Sequence, residues 1–93
     1  MFVIAVYDIS TLDSAGRKRL VKVMKTMRKY LHHSQKSVFE GEITEAKFYA
    51  LRSEIEKIID KSEDYVVFFT IPWFNGVERI NVGKDFDPNS NIL

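Results

Sequence analysis

The chain has 93 residues, 45% of them hydrophobic and 29% charged, with a formal net charge of +1. That length holds one domain with one modest core, and a domain so small leaves enough surface exposed for dimerisation to add burial. Cysteine is absent, which excludes disulfides, thiolate zinc sites and cysteine nucleophiles.

The near-neutral total conceals a segregation. From Ser14 to Phe39 there are eight Lys or Arg and no acid, and from Glu40 to Asp64 there are eight acids against four bases. A basic first half followed by an acidic middle points to an anionic partner more than the total charge does.

The apolar run Phe2–Val6 has no basic residue before it, and Asp8 cuts it short. It reads as a buried strand over Phe2–Tyr7 and neither a signal peptide nor a membrane span, so the expected location is the cytoplasm. Asp13-Ser14 offers an N-cap, because a short side-chain oxygen can accept from an orphan backbone N–H. The helix that follows runs to about Tyr30. Leu20, Met24, Met27 and Leu31 recur at helical spacing as its apolar line, and Lys18, Lys22, Lys25 and Lys29 recur opposite them.

His33–Ile43 is extended, as one strand or as two short ones bent near Lys36. Thr44 caps a second helix whose apolar face is Phe48, Leu51, Ile55, Ile58 and Ile59. Tyr65–Ile71 is nearly all apolar and reads as a central strand buried on both faces, ended by Pro72. Asn75-Gly76 signals a type I′ turn into a last short strand over Val77–Val82. Residues 1–84 form a single domain on this reading, and 85–93 a patternless tail.

The order strand, helix, one or two strands, helix, strand, strand is the α+β ferredoxin-like βαββαβ pattern with an additional C-terminal strand. Right-handed crossovers put both helices on one face of the sheet. Phe68, Phe69, Trp73 and Phe74 make solvent a poor cover for the other face, and a second copy of the chain is the simplest one.

Few residues can carry chemistry. Asp8 leaves a carboxylate at a strand end, either as a ligand for a divalent ion that polarises a phosphodiester or as a turn residue bonded to its own backbone near Ser10. The lysine row, with Arg17, Arg19 and Arg28 beside it, either neutralises phosphates or only solubilises a helix face. The absence of any acid across 26 residues weakens the second, because solubilising faces normally alternate signs, and leaves both open. Gln35, Lys36 and Ser37 can donate to phosphate or sugar oxygens. His32 and His33 could serve as bases or phosphate donors, or simply fill a polar connection. There is no phosphate-binding glycine loop, dinucleotide fingerprint or serine nucleophile elbow.

Val6-Tyr7-Asp8-Ile9, a basic helix ending at Tyr30, and Gln35-Lys36-Ser37-Val38-Phe39-Glu40-Gly41 together resemble the Cas-two family of CRISPR adaptation proteins. The resemblance continues through the amphipathic helix ending at Ile59, the Glu63-Asp64 step and the close on Val82-Gly83. It implies a homodimer with Asp8 of each chain facing one Mg²⁺, or Mn²⁺, at the dimer axis. It implies metal-dependent endonuclease activity on RNA or DNA in spacer acquisition. The alternative is a non-catalytic DNA-binding scaffold held by an integrase partner, and a further one is a toxin-like ribonuclease of the same fold. Arg17, Lys18, Lys22, Lys25, Arg28, His33, Gln35, Lys36 and Ser37 would lie along the nucleic-acid backbone. Two positions depart from the family pattern: Leu31 stands where glycine is frequent, and His33 where arginine is.

Overall fold

The computed structural model describes residues 1–73 and 76–84. Its elements are β1 (Phe2–Asp8), α1 (Ser14–Tyr30), β2 (His32–Gln35), β3 (Val38–Glu42), α2 (Glu45–Ile58) and β4 (Tyr65–Ile71). They build a four-stranded antiparallel sheet in the order β2-β3-β1-β4. This is the expected ferredoxin-like α+β arrangement. Both helices pack against one another on one side of the sheet, as right-handed crossovers require.

The helices begin where the caps predict. The Asp13 side chain accepts from Gly16 N at 2.8 Å, and Thr44 Oγ1 accepts from Lys47 N at 3.2 Å. Along α1 the buried line is Gly16, Val23, Thr26 and Met27, with Leu20 and Met24 only partly covered. The seam thus differs slightly from the expected one, with Val23 and Thr26 buried in place of Leu20 and Met24. Along α2 the buried residues are Phe48, Leu51 and Ile55, with Ile58 and Ile59 at the margin.

Alternation along β1 assigns the two faces of the sheet. Val3, Ala5 and Tyr7 are buried with Phe39 against the helices. Ile4, Val6 and Asp8 point to the opposite face, across from Glu40, Val38, Phe69, Val67 and Tyr65. No helix among the described residues covers that face.

Three expectations need correction. β4 is an edge strand, bonded only to β1 among the described residues. The fold puts β1 and β3 in the middle, so an apolar sequence cannot by itself make the last strand central. Phe68 belongs to the helix side, edge-on to Phe48 at 5.5 Å, whereas Phe69 is on the open face and 55% exposed. The segment 77–82 forms no strand. It crosses the open face instead, where Arg79 pairs with Glu40 and a cavity of about 680 Å³ forms over Phe2, Ile4 and His32. A strand needs a free edge to pair with, and a segment lying over a face has none. Residues 74–75, which carry part of the expected turn, and the tail 85–93 lie outside the described residues.

Candidate metal and nucleic-acid site

Asp8 ends β1 on the open face, paired in register with Tyr65. Its side chain is exposed. Among the described residues it makes no hydrogen bond or ion pair, so the expected alternative of a turn with Ser10 is not realised. Ser10 N donates instead to Asp64 Oδ1 at 3.0 Å.

Across the sheet from Asp8 is the β2–β3 turn. Val6 pairs with Val38, and Tyr7 N donates to Ser37 O at 3.1 Å. The Tyr7 hydroxyl donates to Lys36 O at 2.9 Å, and His33 Nε2 donates to the same carbonyl at 3.1 Å. One carbonyl with two lone pairs can accept both. The turn is therefore fixed from beneath, and Gln35, Lys36 and Ser37 stay exposed on it. Burial pushes the Tyr7 hydroxyl pKa up, and the Arg28 charge partly offsets that. A raised pKa keeps it the donor this bond needs.

His33 does not join the exposed donors. It is 5% exposed and stacks on Phe39 with ring centroids 4.4 Å apart and planes 8° apart. A ring committed to a stack and a backbone carbonyl cannot reach a phosphate, so this position is structural. His32 is exposed and faces the cavity under 77–82.

Arg17, Lys18, Lys22, Lys25 and Arg28 are all exposed along α1. None is in an ion pair among the described residues, and Arg17 makes only a 3.3 Å bond to Thr11 O. Arg17 stands in the opening turn, which holds no acid. The helix dipole disfavours a cation there, so helix stability does not account for it. Lys29 and Arg19 are spoken for. Lys29 pairs with Glu54, which also accepts from the Tyr30 hydroxyl. Those two bonds hold the Glu54 carboxyl below its ordinary value, and the bond to Glu54 pushes Lys29 up. The lysine row available to an anion is thus Lys18, Lys22 and Lys25.

Asp64 is the residue that sequence reasoning passed over as a mere step into β4. Its side chain is 0% exposed and bonded to Arg19 Nε at 2.8 Å. An acid next to a strand start is common, and nothing local in the sequence indicates that its partner is 45 residues away.

No cluster of three or more His, Asp or Glu that could hold a metal ion exists among the described residues. Asp8 offers a hard, unpartnered oxygen of the kind Mg²⁺ prefers, and that ion is satisfied by one or two carboxylates with waters. The donor chemistry therefore fits a divalent ion shared between two copies.

Residues 1–74 match the family model described as CRISPR associated protein Cas2. The CRISPR-associated endoribonuclease Cas2 2 of Moorella thermoacetica is 44% identical over 90 residues, covering 97% of this chain and 99% of its own. The CRISPR-associated endoribonuclease Cas2 of Dictyoglomus turgidum is 44% identical over 93 residues, covering all of both chains. Among solved structures, Streptococcus pyogenes Cas2 at pH 6.5 is similar with a TM-score of 0.71 and 36% identity, over 87% of this chain and 100% of that one. A crystal structure of cas2 gives 0.76 and 33%, over 100% and 98%. With a model match over most of its length and relatives this similar end to end, the chain belongs to the CRISPR-associated Cas2 family.

Proposed function

We propose that this protein is a Mg²⁺-dependent endonuclease that hydrolyses phosphodiesters of RNA or DNA, works as a homodimer and serves spacer acquisition beside an integrase partner. The observation that carries this reading is Asp8: an exposed carboxylate at a strand end, on the open face, with the N–H of Ser10 two residues on already taken by Asp64. The relatives, named as endoribonucleases, support the reaction class.

A second copy packed against the open face would cover Tyr65, Val67 and Phe69 and bring a second Asp8 to the first. Each Asp8 then contributes one carboxylate to a shared Mg²⁺, with Mn²⁺ an acceptable substitute. The bound ion supplies Lewis acidity and lowers the pKa of an attacking water. Lys36, Gln35 and Ser37, on their fixed turn, hold phosphate oxygens beside Asp8. Lys18, Lys22 and Lys25, with Arg17 and Arg28, hold the backbone further along without reading bases.

A second reading, a non-catalytic DNA-binding scaffold, is favoured by the unpaired cations of α1. It needs those cations and not Asp8. Asp8→Asn separates the two, because a neutral amide holds a hard cation poorly. Cleavage is measured across a Mg²⁺ and Mn²⁺ titration on wild type and variant, with folding checked. The variant is expected to lose cleavage and keep duplex binding within about twofold. Removing two like charges that face each other should leave its dimer at least as stable. Cleavage at the wild-type rate, from material free of contaminating nuclease, overturns the metal-site reading and leaves the scaffold.

A further inference from the structure

Asp64 accepts four hydrogen bonds. Oδ1 takes Ser10 N at 3.0 Å and an Arg19 Nη at 3.3 Å, and Oδ2 takes Arg19 Nε at 2.8 Å and Asp60 N at 2.9 Å. One buried carboxylate thus joins the loop after β1, the middle of α1 and the turn before β4. Burial pushes its carboxyl up. The Arg19 bond, the two backbone N–H groups and the Arg19 charge outweigh burial and hold it below the ordinary value. It is a carboxylate at any working pH.

Ser10 is held from its other side too. A Cβ on Gly16 would lie 1.9 Å from Ser10 O. Only glycine lets the opening turn of α1 come so close to the Ser10 carbonyl.

An aspartate at position i readily accepts the N–H of residue i+2 in an Asx turn. For Asp8 that donor is Ser10 N, and Asp64 already occupies it. We propose that Asp64 is a positioning residue that keeps Asp8 free for a divalent cation by occupying the Asx-turn donor that would otherwise bind its carboxylate. Arg19 neutralises Asp64 and fixes its orientation, while Asp64 itself never touches the ion. The proposal rests on the reading of Asp8 as a metal ligand.

The test is Mn²⁺ binding by the full-length protein without substrate, read as paramagnetic broadening of the backbone amide signals of residues 7–10. Asp64→Asn puts an amide where four donors converge. The amide keeps one acceptor oxygen in place of two, and its NH₂ faces donors, so the hold on Ser10 N–H weakens in favour of Asp8 and half-saturating Mn²⁺ should rise about tenfold or more. Arg19→Gln is the control. It costs the same ion pair and comparable stability but leaves Asp64 on Ser10, so Mn²⁺ affinity should stay within about threefold of wild type. A merely structural role predicts equal losses in both, and that result overturns the proposal. So does an Asp64→Asn variant that binds Mn²⁺ as wild type does. Should Asp64→Asn not fold, Asp64→Glu keeps the charge with its oxygens one methylene further out, and is expected to shift in the same direction. Wild type that shows no Mn²⁺ broadening sensitive to Asp8→Asn overturns the metal reading itself and this proposal with it. Broadening that Asp8→Asn abolishes and Asp64→Asn leaves intact overturns the proposal alone.

Discussion

The two faces of the sheet draw on the same strands and end differently. On the helix side, Val3, Ala5, Phe39, Val23, Met27 and Leu51 have no accessible surface at all. On the open side, Tyr65 is 61% and Phe69 55% exposed, although both are in a seven-residue strand as apolar as any in the chain. One face is finished within a single polypeptide, and the other is not. The difference teaches where function can reside. A closed face spends its residues on packing, while an open face can offer a charged strand end to something outside the chain. Asp8 and Tyr7 are neighbours in sequence and fall on opposite sides of that division.

The sharpest way to break the comparison is to make the same change on each face. Phe39→Ala removes a fully buried ring beneath His33 and should cost about 3–5 kcal/mol, a large share of the roughly 5–15 kcal/mol that holds such domains together. Phe69→Ala should leave the monomer within about 0.5 kcal/mol of wild type. If a second copy covers the open face, it should also weaken the dimer about tenfold or more, equivalent to 1.4 kcal/mol or above. Melting at two protein concentrations, with sedimentation on the same samples, separates these. Equal losses that do not depend on concentration would mean that both faces are complete in one chain.

Next in size is an acid-limb effect at the buried carboxylate. Asp64 is held below its ordinary 3.8, with burial opposing and Arg19 with the Ser10 and Asp60 N–H groups prevailing. A carboxyl depressed in the folded state contributes stability that is complete above its unfolded value. That contribution is lost as the pH falls through the lower, folded value. Wild type should therefore melt well above Asp64→Asn from neutral pH down to about pH 5, and the gap should close below about pH 4. Glu54 and Asp60 are depressed as well, and the subtraction cancels them because both proteins keep them. A gap that stays constant through pH 3 would mean that Asp64 remains ionised there or that the amide is lost for reasons of shape alone.

Much of this was legible in the sequence. Asp13 and Thr44 cap the helices as short oxygen-bearing side chains should. The alternation of β1 and the helical spacing of Phe48, Leu51 and Ile55 fix which sides are buried. Asp8, the exposed turn Gln35-Lys36-Ser37 and the basic helix were visible as candidates from residue type and position. Contacts far apart in sequence were not. Nothing near Asp64 shows that Arg19 and Ser10 converge on it. Nothing near His33 shows that Phe39 lies under its ring, since a polar residue at the start of a strand ordinarily faces water. The apolar run Tyr65–Ile71 records that the strand is to be buried and does not record by what. The misplaced β4 and the strand expected at 77–82 share a cause: strand order and edge pairing are set by partners far away in sequence.

The smallest effect compares two lysines on one helix. Lys25 and Lys29 are one turn apart, and both are exposed. Lys25 has no ionic partner among the described residues, whereas Lys29 is paired with Glu54. An exposed pair contributes about 0–1 kcal/mol, so a phosphate could draw the ammonium away. The carboxylate would remain, held by the Tyr30 hydroxyl, and its charge would still cancel most of the field of Lys29. Counterion release depends on the charge actually offered to the duplex. Lys25→Gln should therefore lower the slope of log Kd against log salt by about 0.9 for the phosphate it gives up, and Lys29→Gln by distinctly less. Fluorescence anisotropy with one random duplex over a salt series measures both. An equal reduction would show that Glu54 does not screen Lys29 and that the binding row is four lysines wide. No reduction from Lys25→Gln would make the row a solvated helix face and confine nucleic-acid contact to the turn beside Asp8.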